Sequence, residues 1–181
     1  EIETSTTSFH EHNEREKAGE LVDRLRARYA VALVSDAGTP GISDPGFVLV
    51  RAALEEGFPV RPLPGPTAFV PALVASGLPT DRFVFEGFLP KKKGRQTRLE
   101  VLANEPRTMV LYESRYRVVR TLEDLETHLG PAREAAVARE LTKQFEEIER
   151  GTLAEVRSYF ASKSSLRGEF VLVVAGAPNP S

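Results

Sequence analysis

Two loops rich in glycine and proline hold the residues of this chain best suited to grip a small polar ligand. In the first, Ser35, Asp36, Ala37, Gly38, Thr39 and Pro40 run on to Gly41, with Asp44 shortly after. Glycine lets a backbone approach a ligand closely and proline holds it rigid, while Thr39 and Asp44 offer hydrogen-bonding oxygens. The same residues also make an ordinary long turn, with Asp44 capping the next helix; the two readings stand side by side. The second loop, Pro64-Gly65-Pro66-Thr67-Ala68, places a hydroxyl and a small residue before a helix, where amide N–H groups favour polar ligands. Glycines at 38, 41 and 46 miss the G-x-G-x-x-G spacing, and no G-x-x-x-x-G-K-[ST] occurs, so neither a dinucleotide fingerprint nor a P-loop is present.

A second set of candidates is ionisable. Tyr112-Glu113-Ser114-Arg115 and Arg139-Glu140-Leu141-Thr142-Lys143 each follow a predicted strand. Glu113 and Glu140 are candidate proton acceptors and Lys143 a candidate polariser or phosphate anchor; a salt-bridge network is the alternative. Ser114 reads as a helix N-cap. Lys91, Lys92, Lys93 and Arg95 form, with Arg98, the densest basic patch, either a solvated linker or a contact for RNA phosphates. His10 and His12 lie two apart and His128 is remote, so no helical zinc spacing exists and no metal is expected.

The elements that must position these groups follow from the apolar pattern. Asn13 with Glu16 reads as a capping box for a helix over 14–28. Residues 30–34 and 60–63 read as buried strands, each opening into one of the Gly/Pro-rich loops and then a helix. Asp44-Pro45 marks one helix start and Gly57 its end; a further helix runs through Val70 and Leu73 to Gly77. A strand follows from Arg82 to Phe85 or slightly beyond. After a polar stretch at 89–95 come a helix over 96–104, a strand at 108–112, a helix over 115–129, a strand at 134–138 and a strand before Gly151. Thr152 and Glu155 form a capping box for a helix to about Ala161, and 170–174 is the last strand. Alternating strands and helices predict an α/β protein with mixed sheets flanked by helices, in two lobes: residues 1–88 and 96–181, joined by the 89–95 linker.

Composition narrows the field. With 41% hydrophobic and 28% charged residues, the chain has the make-up of a soluble globular protein, and no apolar run reaches the ~20 residues of a membrane span. The absence of cysteine removes disulfides and thiolate chemistry and suits a cytoplasmic setting. A net charge of −2 argues that any contact with nucleic acid is local.

The segments SDAGTPGISDPG (35–46), PLPGPTA (62–68), GLPTDRFVFEGFLPKKKGR (77–95), RTMVLYES (107–114), ARELTKQFEEIERGTL (138–153) and RGEFVLVVAG (167–176), preceded by FHEHNE (9–14), resemble in order and spacing the small-subunit ribosomal RNA 2′-O-ribose methyltransferases of the tetrapyrrole-methylase superfamily. The resemblance implies a two-lobed fold with S-adenosylmethionine in the cleft between lobes, a homodimer, and a cytidine ribose of small-subunit ribosomal RNA as substrate. It implies that Gly38, Thr39, Pro40, Thr67 and Ala68 meet the cofactor, with Ser35, Asp36, Ala37 and Asp44 as further candidates of the same loop, and that Leu141, Ala175 and Gly176 lie near its adenosine. Three departures stand out. The family's opening strand and its Pro-Thr-Pro-Ile-Gly-Asn-type loop have no counterpart here; Tyr116 stands where histidine is usual; Arg167 stands where lysine is common. The rival readings are a corrin or porphyrin-precursor methyltransferase, which would share fold and cofactor, and a non-catalytic RNA-binding fragment.

Overall fold

A computed structural model describes residues 3–178. The chain divides into two compact units, Glu1–Thr67 and Ala68–Ser181.

In the first unit, α1 (Glu14–Arg26) and α2 (Phe47–Glu55) pack through Ala18, Leu21, Val22 and Leu49, with Phe9, Val31 and Phe58 closing over them. Arg26 reaches Glu56 at 2.7 Å, an exposed pair that tethers one helix end to the other. Two cap readings are corrected. The Asn13 side chain turns back, accepting from the His10 amide and donating to Ser8 O instead of capping α1. Asp44 is no cap either, because α2 begins at Phe47 after Gly46. At the far end Gly57 adopts φ 78° and the Phe58 amide bonds Ala53 O, closing α2 in the left-handed manner that glycine allows.

The expected strands at 30–34 and 60–63 form no strand and have no ladder partner among the described residues. Val34 and Leu63 are 83% and 85% exposed. An apolar run has the propensity for a strand, but only a hydrogen-bonded neighbour makes one.

The second unit is one five-stranded mixed sheet of order β1-β2-β5-β3-β4. Its elements are α3 (Phe69–Ser76), β1 (Phe83–Phe88), α4 (Arg95–Ala103), β2 (Thr108–Ser114), α5 (Val118–Leu129), β3 (Glu134–Arg139), β4 (Glu147–Thr152), α6 (Leu153–Ala161) and β5 (Glu169–Val174). β1 runs parallel to β2 with a bulge at Glu86, and the other pairings are antiparallel. Strand alternation sorts the core into two faces. Met109, Leu111, Val137 and Leu172 pack with Leu99, Leu122, Leu125 and Phe160 of the helices α4, α5 and α6. Val110, Ala136, Val171 and Val173 pack with Ala72 and Leu73 of α3. Thr152 and Glu155 form the predicted capping box at α6.

The division between units lies at residues 67 and 68, not at the expected linker. α3 belongs with the sheet because Ala72 and Leu73 bury against it, and β1 because it is hydrogen-bonded to β2. Residues 89–95 are accordingly a connection inside the second unit, from the edge strand to α4.

Candidate functional site

In the first unit the two Gly/Pro-rich loops meet. The Thr39 hydroxyl donates to Pro66 O at 2.9 Å, and Ser35 Oγ donates back to the carbonyls of Ala37 and Gly38 at 3.2 Å. Gly38 is at φ 75°, a left-handed conformation that favours glycine. The expected ligand loop is therefore a tied turn in which Asp36 and Asp44 project into solvent. Thr67 ends this unit and Ala68 begins the next.

In the second unit, the C-terminal ends of β1, β2 and β3 and the N-terminal ends of β4 and β5 share one edge of the sheet. That edge holds all three predicted catalytic residues, in different settings. Glu113 alternates onto the helix-covered face and is 2% exposed. Its Oε1 accepts from the Ser114 amide at 2.8 Å, and Oε2 takes the Thr121 hydroxyl at 2.7 Å and the Arg117 guanidinium at 3.1 Å. A carboxylate so enclosed has no free access to a substrate hydroxyl, so the reading of Glu113 as proton acceptor is corrected to a buried ion-pair anchor. Ser114 closes β2 and is no cap, because α5 begins at Val118.

Glu140 is different. It follows β3 at φ 49°, and Thr142 sits at φ 64°, so the Arg139-to-Lys143 turn puts two side-chain-bearing residues in left-handed backbone. Glu140 Oε1 accepts from Lys143 Nζ at 3.0 Å and from the Glu169 amide at 3.1 Å. The Lys143 hydrogen bond first, and the Glu169 amide second, hold its carboxyl below the usual range. Lys143 also reaches Glu169 at 2.9 Å; hydrogen bonds from Glu169 and then Glu140 raise its own pKa. Gly168 packs so closely on Glu140 that a Cβ there would strike the carboxylate.

On the opposite face, Tyr112 was missed as an individual candidate. Its hydroxyl accepts from the Phe69 amide at 3.3 Å, occupying the start of α3 beside Ala68. Burial pushes the phenol pKa up, partly offset by the amides of Phe69 and Ala68. Phe69, Phe85, Tyr112 and Leu141 pack on the same apolar cluster and form a partly exposed aromatic surface. The signal was legible: period-two alternation puts Tyr112 and Glu113 on opposite faces of β2.

Leu141 and the pair Ala175-Gly176 do not share a place. β5 is antiparallel to β3, with Arg139 opposite Phe170 and Ala135 opposite Val174, so Ala175 lies at the other end of the sheet. At about 3.3 Å per residue the separation is roughly 15 Å or more. The Ala175 amide bonds Glu134 O, and Gly176 is pressed on the Pro106 backbone with no space for a Cβ. Both are packing residues of that far end.

The basic patch also divides. Lys91, Lys92 and Lys93 are exposed, but Arg95 is 8% exposed and turned inward, donating to Asp124 at 2.8 Å, Thr121 at 2.9 Å and Pro90 O at 3.1 Å. Its charge is consumed inside the fold, so the reading of Arg95 as a phosphate contact is corrected. Among the described residues no three His, Asp or Glu side chains gather in a way that would hold a metal ion, and no helix is long and apolar enough to cross a membrane.

Comparison with known proteins gives these features a context. Residues 2–157 match the family profile of the tetrapyrrole (corrin/porphyrin) methylases. The chain is 52% identical to a ribosomal RNA small subunit methyltransferase I of Synechocystis sp., over 98% of this chain and 63% of that protein. It is 51% identical to the protein of the same name from Pseudomonas aeruginosa, over 99% of this chain and 64% of that one. It thus spans a little under two thirds of the length of these relatives. Among solved structures, the methyltransferase CobJ superposes with a TM-score of 0.66 at 25% identity, covering 91% of this chain and 72% of that one. A uroporphyrin-III C-methyltransferase of Thermus thermophilus, solved with S-adenyl homocysteine, shares the fold with a TM-score of 0.57 at 22% identity, covering 89% and 73%.

Proposed function

Because this chain belongs to the tetrapyrrole methylase family, we propose that it carries out S-adenosylmethionine-dependent 2′-O-methylation of a cytidine ribose in small-subunit ribosomal RNA, as a cytoplasmic homodimer. The observation that carries this is the identity of about half of all residues, along almost the whole chain, to proteins named for methylation of small-subunit ribosomal RNA. A corrin or porphyrin-precursor substrate is less well supported, since the likeness to those enzymes is at the level of fold.

The donor set fits the cofactor. A sulfonium nucleoside carrying an amino-acid tail asks for an apolar surface, carboxylates for its cationic groups and a close backbone. In the second unit, Tyr112 and Phe69 with Leu141 offer an apolar surface; in the first, described by itself, Asp36 and Asp44 are exposed carboxylates and the turn at Gly38 a close backbone. When bound, S-adenosylmethionine supplies an electrophilic methyl carbon. In the first unit, residues 35–40, Asp44 and Thr67 are the candidate contacts, with the Thr39–Pro66 hydrogen bond keeping the two loops in register; in the second unit, taken by itself, the candidates are Ala68 and Leu141.

Displacement at that carbon requires the ribose oxygen in line, and positioning alone accounts for a large part of the acceleration in such reactions. Of the two carboxylates that the sequence offers as proton acceptors, Glu140 is the one not enclosed in the fold, and it would take the ribose proton at Oε1 or Oε2 after Lys143 swings aside. Lys143, at 49% side-chain exposure, would meet the neighbouring phosphate by exchanging its ion pairs with Glu140 and Glu169 for it. Its departure from Glu140 would return that carboxyl toward its ordinary basicity, coupling RNA arrival to proton acceptance.

Calorimetric titration with S-adenosylmethionine and its demethylated product, followed by transfer of labelled methyl to small-subunit RNA, tests the proposal. Micromolar binding and label on a ribose 2′-oxygen support it. Binding without transfer to RNA leaves a methylase of another substrate, and no binding overturns the cofactor assignment.

A further inference from the structure

Resting on that RNA reading and deepening it, we propose that Tyr116, with Arg115 laid over its ring, is a stacking platform for an unpaired nucleobase, held in register with the phosphate-facing Lys91, Lys92 and Lys93 by the side chain of Arg117.

Single exposed aromatics are common, so the exposure of Tyr116, 79%, is only a starting point. The ring is also fixed and polarised. The Arg115 guanidinium carbon lies 4.6 Å from its centroid, and the same guanidinium donates to the phenol oxygen. One face is thereby covered by a delocalised cation, leaving the other for a planar guest. A base stacked there meets an aromatic face backed by positive charge, the pairing that proteins use for unpaired RNA.

Place supplies the second argument. Tyr116 lies two residues past β2, on the sheet edge that carries Glu140 and Lys143. Its neighbour Arg117 donates to Leu89 O at 2.8 Å and is anchored at 3.1 Å on the buried Glu113. Arg95 grips the next carbonyl, Pro90 O. The lysine loop is thus clasped at Leu89 and Pro90, immediately before its exposed cations. Through that clasp Tyr116 and Lys91 are at most about 20 Å apart along the bonded path, the reach of a few nucleotides.

Charge supplies the third. The chain is net −2, yet Lys91, Lys92, Lys93 and Arg115 are all exposed, and none is in an ion pair among the described residues. Their concentration at one corner makes the local RNA contact that a slightly acidic protein requires.

The test is fluorescence anisotropy with a dye-labelled cytidine-containing RNA oligonucleotide, unpaired or annealed to its complement, at several salt concentrations. Wild type should prefer the unpaired strand. Tyr116→Ala should weaken binding to that strand roughly 5- to 100-fold without changing the salt slope. Tyr116→Phe should bind as wild type, and replacing all three lysines by alanine should lower the salt slope by up to about 2. A Tyr116→Ala protein that folds and binds the unpaired strand as tightly as wild type overturns the platform while leaving the RNA reading intact. Equal or better wild-type binding to the duplex also overturns it. Failure of wild type to bind either RNA sinks both.

Discussion

The hydroxyl of Thr121 on α5 donates a 2.7 Å hydrogen bond to Glu113 Oε2 at the end of β2, and both side chains are buried. The same hydroxyl accepts from Arg95, which also holds Asp124. A carboxylate that sequence alone offers as a proton acceptor is thereby the hub of a charged network joining sheet, helix and basic loop.

Thr121→Val should therefore lower stability by about 1–3 kcal/mol, because Glu113 and Arg95 each lose a partner in a buried site. Urea unfolding measures this. Glu113→Gln should cost a similar amount, yet leave the acid limb of the pH–rate profile in place. Disappearance of that limb in Glu113→Gln alone would restore Glu113 as the base.

At Glu140 the hydrogen bond from Lys143 and the amide of Glu169 favour the charged form. Its folded-state pKa is below the unfolded value, so the linked stability is complete above the ordinary carboxylate range and is lost as pH falls through the depressed one. In a carbon-13 NMR titration, Lys143→Met should move the Glu140 midpoint upward. An unmoved midpoint would mean that the ion pair does not set it.

Gly176→Ala forces a methyl group against the Pro106 backbone. Overpacking of this kind costs about 1–3 kcal/mol, visible as a lower thermal midpoint. Cofactor affinity measured well below that midpoint should not change, since this end of the sheet is remote from Leu141. A large loss of affinity in the folded variant would return Gly176 to the binding site.

Thr39→Val removes the hydroxyl that joins the two loops of the first unit. The expected cost is about 1 kcal/mol in stability, with weaker cofactor binding by calorimetry and an unaltered RNA salt slope. Unchanged cofactor affinity would show that the loops need no tie.

What could be read in advance was whatever local pattern decides. The second unit's helices and strands fell within a few residues of expectation, because their periodicity and the Thr152–Glu155 capping box are properties of adjacent residues. The Arg139-to-Lys143 turn stood out by its charges, although not by its left-handed backbone. Arg95 was misgrouped because composition counts charges, whereas burial depends on Asp124 and Thr121, 29 and 26 residues away.

Taken by itself, the amino-acid order determined the α/β class, the family motifs and the edge of the sheet where ionisable groups gather. Tertiary structure decided which of them are available. It enclosed Glu113 and Arg95, left Lys143 exposed with Glu140 half-buried beside it, and sent Ala175 and Gly176 to the far end from Leu141 through an antiparallel pairing. It also withheld ladders from residues 30–34 and 60–63. The reason is common to all of these: propensity and charge belong to a residue and its neighbours, but a partner for a strand or an ion is supplied by distant chain.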